Sequence, residues 1–199
     1  MTESVVPYER QREFARIGGD ASLDLINTVS WRLSPTRRIE HLGTSDDLRR
    51  WAQQTGVVTA AEGAALPLDP DEVARVVLLR EAFYELAFQD GPSEPLTAAY
   101  DDAIRAARLI PGADGWIWEL PVDAALIRRR VALAMVDLLR GAGAGRLGQC
   151  ADADCGWVFR DTSPRHNRRW CVAEDCGNRN RARRFYAKTR ASVVPVSSA

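Results

Sequence analysis

Cys150-Ala-Asp-Ala-Asp-Cys155 and Cys171-Val-Ala-Glu-Asp-Cys176 hold all four cysteines of this chain of 199 residues. Two close pairs separated by fifteen residues suit a tetrahedral Zn²⁺ site, because each pair binds one edge of the ion and the intervening loop brings the pairs together. Four-residue gaps are wider than the common two-residue gap but lie within the range of structural zinc sites. We therefore expect these cysteines to hold one structural Zn²⁺.

The alternatives for the cysteines are two disulfides or four unrelated buried thiols. Disulfides need an oxidising compartment, and residues 1–7 have neither the basic region nor the apolar core of a secretion signal. No apolar run approaches the roughly 18 residues of a membrane span. Unrelated core cysteines would not all fall in one short stretch. The sequence thus favours a cytoplasmic protein that binds metal and no membrane.

Charge divides the chain into two parts. Residues 1–140 carry 16 Arg and 22 Asp or Glu residues, whereas residues 141–190 carry 11 basic and five acidic residues. The net charge of zero therefore hides an acidic body of −6 and a basic C-terminal part of +6. A closed metal site that continues into a basic segment is typical of nucleic-acid-binding modules.

The acidic body is predicted to be mainly helical. Residues 22–33 form a short amphipathic segment, and helix N-terminal signals follow at Thr44, Thr59 and Asp69, each with an acidic residue in the first turn. Apolar residues recur at helical spacing from Val73 onward and again from Leu96 onward. The local patterns therefore favour a series of capped helices.

The second half of the body is predicted to hold a β-hairpin over 109–120 and a long helix over 124–140. The helix has so wide an apolar face that burial on more than one side is expected. Residues 1–140 would then fold alone and either bind a small-molecule effector or form a homodimer. Glycine-rich residues 141–145 form the best linker. We expect a body over 1–145, a zinc module over 146–190 and a disordered tail over 191–199.

Within the zinc module, Trp157-Val-Phe-Arg160 and Arg168-Arg-Trp-Cys171 are predicted to pair as a β-hairpin across a polar turn. Cys176-Gly177 would begin the final helix, where first-turn N–H groups favour a thiolate. A turn that carries the first cysteine pair, a hairpin and a helix that carries the last cysteine together predict a treble-clef-like finger. The fold class expected for the whole chain is α+β, with a mainly helical N-terminal domain and this C-terminal finger.

The final helix is predicted to pack an apolar stripe of Ala182 and Phe185 on the hairpin and to leave two cationic rows in solvent. Two alternatives to nucleic-acid binding are that the basic face is merely solvated, or that it docks on the acidic body of the same chain. Trp157 and Trp170 are expected to shield the zinc rather than to stack on bases. The nucleic-acid contacts predicted from the sequence are Arg165, Arg168, Arg169, Asn178, Arg179, Arg181, Arg183, Arg184 and Lys188.

These motifs resemble a known family. Cys155-Gly-Trp-Val-Phe-x-Asp161, Arg168-Arg-Trp-Cys171 and Cys176-Gly-Asn-Arg179 are similar to the CGNR zinc finger of bacterial proteins, and Leu23-Asp-Leu-Ile-Asn-Thr28 is similar to the opening signature of the ABATE domain that accompanies it. The resemblance is strong over 147–188 and looser over 20–140.

The resemblance implies that the four cysteines bind zinc, that the finger binds duplex DNA and that the protein regulates transcription under stress. Ser22 departs from the pattern, since family members often have a cysteine there. Any role of that thiol therefore does not carry over.

Two other function classes compete with a DNA-binding regulator. Small basic zinc modules also bind RNA or proteins without reading a DNA sequence. An enzyme is disfavoured, because four thiolates would leave no open position on the metal. His41 and His166 lie in no catalytic motif, and for Asp24 and Asn27 a cap or core hydrogen bond is more common than a pocket.

Overall fold

The computed structural model describes residues 13–67, 69–141 and 146–191. No helix within these ranges is long and apolar enough to cross a membrane. The expected linker residues 142–145 and tail residues 192–199 lie outside the described residues. The α+β prediction is confirmed, since helices dominate and the sheets are small two-stranded pairs. In chain order the elements are α1 (Ala21–Ile26), β1 (Val29–Ser30), β2 (Ile39–Glu40), α2 (Ser45–Gln54), α3 (Ala60–Ala65), α4 (Pro70–Phe88), α5 (Glu94–Ala106), β3 (Arg108–Gly112), β4 (Gly115–Glu119), α6 (Leu126–Arg140), β5 (Leu147–Gln149), β6 (Val158–Arg160), a π-helical turn (Ala173–Gly177) and α7 (Asn178–Ala191).

The three predicted helix caps are confirmed. The Thr44 hydroxyl accepts a hydrogen bond from the Asp47 N–H at 3.1 Å and starts α2. Thr59 and Glu62 bond each other's backbone N–H groups in a capping box at the start of α3. Asp69 caps α4, whose first turn contains a proline. Each cap satisfies N–H groups that have no partner inside the helix, which is why short-range sequence patterns located them.

The segment predicted over 22–33 proves to be a shorter and more buried helix. α1 ends at Ile26, and β1 then pairs with β2 through the register Val29↔Glu40 and Ser30↔Ile39. Every residue of α1 from Ser22 to Ile26 is buried. The helix lies against α4, α6 and β6, so its polar residues face other parts of the protein instead of solvent.

The core of the body surrounds α1 and α6. Trp51, Phe83, Leu25 and Met135 are fully buried within it. The expected burial of α6 on more than one side is confirmed, because it packs against α1, α4 and α5 at once. Its buried side chains are Leu126, Ile127, Val131, Ala132, Met135 and Leu138.

A buried arginine fixes the short β1–β2 sheet to α4. The fully buried side chain of Arg80 donates to both carboxylate oxygens of Glu40, at 2.8 and 2.6 Å, and to Glu81 at 2.7 Å. A further bond of 2.9 Å joins it to the Thr28 hydroxyl. Burial by itself would raise the pKa of Glu40, but the Arg80 guanidinium outweighs it and holds this pKa below its usual range.

The hairpin predicted over 109–120 is present as β3 and β4. Its register runs from Arg108↔Glu119 to Gly112↔Gly115, so the turn contains two residues. All residues of β4 are exposed to solvent. The hairpin therefore projects from the body instead of contributing to its core.

Candidate metal centre and basic helix

The four cysteines form one buried cluster. Their sulfur atoms all lie within 4.8 Å of one another, and none is in a disulfide. Two of the separations are 3.7 Å, between Cys155 and Cys171, and 3.4 Å, between Cys171 and Cys176. Sulfurs bound to Zn²⁺ at about 2.3 Å in a tetrahedron are about 3.8 Å apart. The cluster therefore fits a tetracoordinate metal ion, as the spacing predicted.

Cys150 and Cys155 lie in a tight connection between β5 and β6. The strands pair with the register Leu147↔Arg160, Gly148↔Phe159 and Gln149↔Val158, and the Cys150 N–H continues the ladder to the Trp157 carbonyl at 2.8 Å. Gly156 has a φ of +69°, and a Cβ there would lie 2.8 Å from that of Arg32. A glycine is thus required both by the turn and by the close approach of the body.

The predicted pairing of residues 157–160 with residues 168–171 is wrong. β6 pairs with β5 instead, and residues 168–170 form no strand. Asp161 explains the difference, because its carboxylate accepts hydrogen bonds from the N–H groups of Ser163, at 2.8 Å, and Arg168, at 2.9 Å. These bonds close 161–168 as a loop. Knuckle, short hairpin and helix still follow one another as in a treble clef.

Cys171 and Cys176 are placed by the π-helical turn that leads into α7. Gly177 follows Cys176, and a Cβ at Gly177 would lie 3.2 Å from the Trp170 ring. Trp157 and Trp170 pack against the cysteine cluster, which confirms that they shield the site. When zinc is bound there, it supplies a cross-link between the β5–β6 hairpin and α7.

The thiols influence one another's acidity. Hydrogen bonds from Cys155 and Cys171 lower the pKa of the Cys150 thiol, whereas the hydrogen bond with Cys150 raises that of Cys155. Burial raises the pKa of Cys176. A cation bound at the cluster would favour the thiolate form of all four cysteines.

Arg179, the last residue of the CGNR motif, faces the metal site. Its Nη2 lies 2.8 Å from the Cys176 sulfur and its Nε donates to the fully buried Asp152 carboxylate at 3.0 Å. Its Nη1 donates to Asp175 at 3.1 Å, and its guanidinium lies 4.4 Å from the centre of the Trp31 ring in the body. Its predicted nucleic-acid contact stays a prediction, but the guanidinium is already used within the chain.

Two further arginines of the predicted nucleic-acid set are also paired internally. Arg183 bonds Asp154 at 2.9 Å and Asp152 at 3.4 Å. Burial alone would raise the pKa of Asp152, but the hydrogen bond from Arg179 and the nearby charges hold it below its usual range. Arg168 donates to the carbonyls of Cys171, at 2.7 Å, and Trp170, at 3.1 Å. Its guanidinium also stacks on Phe159 at 4.1 Å.

The rest of the predicted set is exposed to solvent. Asn178 donates to the Glu174 carbonyl at 2.5 Å and accepts from Arg181. All side chains from 181 to 190 are exposed. The exposed cationic residues of the module are Arg146, Arg165, Arg169, Arg181, Arg183, Arg184, Lys188 and Arg190.

The predicted packing of the Ala182 and Phe185 stripe on the hairpin is wrong. Phe185 is 66% exposed and its neighbour Tyr186 is 65% exposed. Each hairpin strand is only three residues long, and the face around Phe159 is already covered by Arg168. α7 is consequently held through Arg179 and Arg183, and its side chains from 181 to 190 remain exposed.

The finger is joined to the body by hydrogen bonds that sequence analysis did not locate. The Asn27 side chain donates to the Val158 carbonyl at 2.9 Å and accepts from its N–H at 2.8 Å. The Trp157 indole donates to the Val29 carbonyl at 2.8 Å, and the Arg32 N–H donates to the Cys155 carbonyl at 3.0 Å. Val158 itself belongs to the body core. Asn27 lies in the Leu-Asp-Leu-Ile-Asn-Thr signature and Val158 in the Cys-Gly-Trp-Val-Phe motif, but neither motif indicates that the two residues meet.

The other polar residues singled out from the sequence have structural partners. Asp24 accepts a hydrogen bond from the Gly18 N–H at 2.7 Å, so it and Asn27 make the core bonds that were expected. His41 lies 2.8 Å from the Ser30 hydroxyl, and His166 is exposed. The sequence predicts that the body either binds a small-molecule effector or forms a homodimer. The depression lined by Leu48, Leu66, Glu72 and Ile127 has room for little more than one water molecule.

Comparison with known families matches both parts of the chain. Residues 19–142 match the ABATE family, described as "Putative stress-induced transcription regulator", and residues 146–189 match the CGNR zinc finger. Neither is an enzyme family. No curated protein matches the chain.

Proposed function

Because this chain belongs to the ABATE family and ends in a CGNR zinc finger, we propose that it is a zinc-containing regulator that binds duplex DNA and controls transcription under stress. Its four cysteines would hold one structural Zn²⁺. The observation that carries the proposal is α7, which has six basic and no acidic residues and whose side chains are exposed from 181 to 190. DNA supplies the dense negative charge that such a helix matches.

The dimensions of α7 suit the major groove. A helix of 14 residues is about 21 Å long, and the groove admits one α-helix. The metal site fixes the first turn, so the exposed part can enter a groove without reorganising the module. Arg181, Arg184, Lys188 and Arg190 would meet phosphates along the helix, and Arg165 and Arg169 would extend the contacts from the loop.

Internal pairing reduces the number of cations available to DNA. Arg168, Arg179 and Arg183 already bond to carboxylate or carbonyl groups within the chain, so we expect the phosphate contacts from other exposed residues of the loop and of α7, namely Arg165, Arg169, Arg181, Arg184, Lys188 and Arg190. Each neutralised phosphate contributes about −0.9 to the slope of log affinity against log salt. With four to six contacts we expect a slope of about −4 to −5.

The test is a salt titration of duplex binding followed by fluorescence anisotropy. Arg184→Ala should reduce the magnitude of the slope by about 0.9, because it removes one exposed cation. Arg183→Ala is the matched control on the adjacent position, and its slope should remain close to that of the wild type. Full-length protein that retains zinc but shows no salt-sensitive binding to any duplex at about 50 mM salt would contradict the proposal.

A second candidate, binding to single-stranded RNA, is favoured by the exposed aromatic pair on α7. Phe185 and Tyr186 lie edge to face with ring centres 5.7 Å apart, within a strongly basic helix. Exposed aromatic rings between cations can stack on unpaired bases. Competition between duplex DNA and a single-stranded RNA separates the two candidates. RNA preference that is lost in Phe185→Ala would favour the second.

A further inference from the structure

The β3–β4 hairpin, which precedes the four cysteines in the sequence, exposes a large apolar surface. Trp116 is 68% exposed, Ile117 and Leu109 are each 52% exposed, and Trp118 is 48% exposed. Leu109 pairs with Trp118 and Pro111 with Trp116, so these four side chains share one face of the hairpin. A two-stranded hairpin is only marginally stable by itself, and an exposed apolar patch of this kind marks an interaction site.

The register shows which backbone groups of β4 point away from β3. Hydrogen-bonded and non-hydrogen-bonded pairs alternate along an antiparallel ladder. Pro111 has no N–H, so Pro111↔Trp116 is a non-hydrogen-bonded pair, and Leu109↔Trp118 is another because it lies two positions along. The N–H and C=O groups of Trp116 and Trp118 therefore face outward from the edge of β4.

The two edges of the hairpin differ in how they are protected. The outer edge of β3 contains Pro111, which cannot donate, and begins at Arg108. Proline and cationic residues are devices that block pairing at sheet edges. β4 has the sequence Gly-Trp-Ile-Trp-Glu and carries neither a proline nor a cation. Within the described residues, the edge of β4 is thus open to another strand.

We propose that this edge pairs with β4 of a second copy of the chain. The strands would run antiparallel about a two-fold axis at Ile117, which places Trp116 opposite the partner's Trp118. The outward groups of Trp116 and Trp118 then form four hydrogen bonds, because this register makes both tryptophan positions hydrogen-bonded pairs. A closed, isologous contact results, in which the same patch serves both copies.

This register also continues both faces of the hairpin. On one face, the tryptophans of the two copies become cross-strand aromatic pairs and join Leu109 and Pro111 in a single apolar surface. On the other face, Ile117 meets the partner's Ile117, with Ile110 behind it. Slippage by one residue would place Ile117 opposite a tryptophan position and turn the outward groups out of register. The self-complementarity of the strand is what selects a second copy as the occupant.

The available area predicts a weak dimer. From their exposed fractions, Leu109, Trp116, Ile117 and Trp118 offer on the order of 400 Å² of apolar surface per copy, of which pairing at the edge of β4 covers only a part. A standard interface buries about 800 Å² per partner. We therefore expect dissociation in the range of tens of micromolar, with monomer and dimer in rapid exchange.

Sedimentation equilibrium on the full-length zinc-bound protein, without DNA, tests the dimer separately from the proposed function. The wild type should shift from monomer to dimer between about 2 and 200 µM, and Trp116→Lys should raise the dissociation constant about tenfold or more. Leu78→Lys is the matched control, because Leu78 is 69% exposed on α4, and it should leave the constant unchanged. Trp118→Pro should also weaken the dimer, since it removes an N–H that points away from β3.

A disulfide trap tests the position of the two-fold axis. Facing residues of a non-hydrogen-bonded pair have Cα atoms about 4.5 Å apart, within the range that a disulfide spans. Ile117→Cys should therefore form covalent dimers rapidly under mild oxidation, whereas Leu78→Cys should not. A wild-type monomer at about 200 µM, or equal cross-linking of the two cysteine variants, would overturn the proposal.

Discussion

Asn27→Ala should destabilise the whole protein, although Asn27 lies in the body and its partner lies in the finger. The Asn27 side chain makes two hydrogen bonds to the backbone of Val158, and both residues are buried, at 3% and 0% exposure. Alanine would leave the N–H and the C=O of Val158 without partners. Each unsatisfied buried polar group costs about 1–3 kcal/mol, so the free energy of unfolding should fall by about 2–6 kcal/mol.

Urea unfolding at a fixed concentration of free zinc measures this loss, and a thermal melt provides a second estimate. For a chain of this length, 1 kcal/mol corresponds to about 2–4 °C, so the Tm should fall by about 4–24 °C. Thr97→Ala is the control, because the Thr97 hydroxyl also bonds a backbone carbonyl, that of Ser93 at 3.1 Å, but is exposed. It should change the free energy of unfolding by less than about 0.5 kcal/mol.

The result also decides whether body and finger fold together. If Asn27→Ala matches the Thr97→Ala control and retains zinc, the two bonds contribute little and the finger is an independent unit. A loss of the size expected would instead mean that residues 1–140 do not reach full stability without the finger. The sequence had suggested that the body folds alone, and this experiment tests that expectation directly.

Three further results are expected. Wild-type protein should contain about one zinc per chain by elemental analysis, and Cys176→Ser should lose it; a variant that keeps zinc would exclude Cys176 as a ligand. Arg179→Gln should release zinc to a chelator about tenfold faster because it removes the donor to the Cys176 sulfur, whereas the exposed Arg184→Gln should match the wild type. Burial raises the pKa of Asp24 from 3.8 to about 6, so ionisation of this carboxyl destabilises the folded state. The stability that the protonated form contributes is greatest below about pH 4 and is lost as the pH rises through about 6. Relative to Asp24→Asn, the wild type should lose about 2 kcal/mol between pH 4 and pH 7 in urea unfolding, and a constant difference would refute the shift.

Several features of this protein could be predicted because they depend on residues close in sequence. The caps at Thr44 and Thr59 involve partners three residues away, and the spacing of the cysteines determines how a loop can bring four sulfurs to one ion. The β3–β4 hairpin likewise follows from a short turn between two strands. Such contacts need little chain closure, so a local pattern suffices to predict them.

Other features were decided only by tertiary structure. Arg183 and Arg184 are adjacent, identical in type and both exposed, yet Arg183 forms ion pairs with Asp152 and Asp154, about thirty positions away, whereas Arg184 forms none within the described residues. Similarly, the choice of β5 as the partner of β6 depended on the Asp161 side chain, which closes the competing segment as a loop.

The joint between body and finger shows the same limit most clearly. Asn27 and Val158 are 131 positions apart, and no periodicity or motif rule connects them. The sequence by itself determined that a zinc module with a basic helix follows a helical body. Only the tertiary structure decided that β6 of that module packs against the body. The buried N–H and C=O groups of Val158 need hydrogen-bond partners, and the fold brings the Asn27 side chain to them.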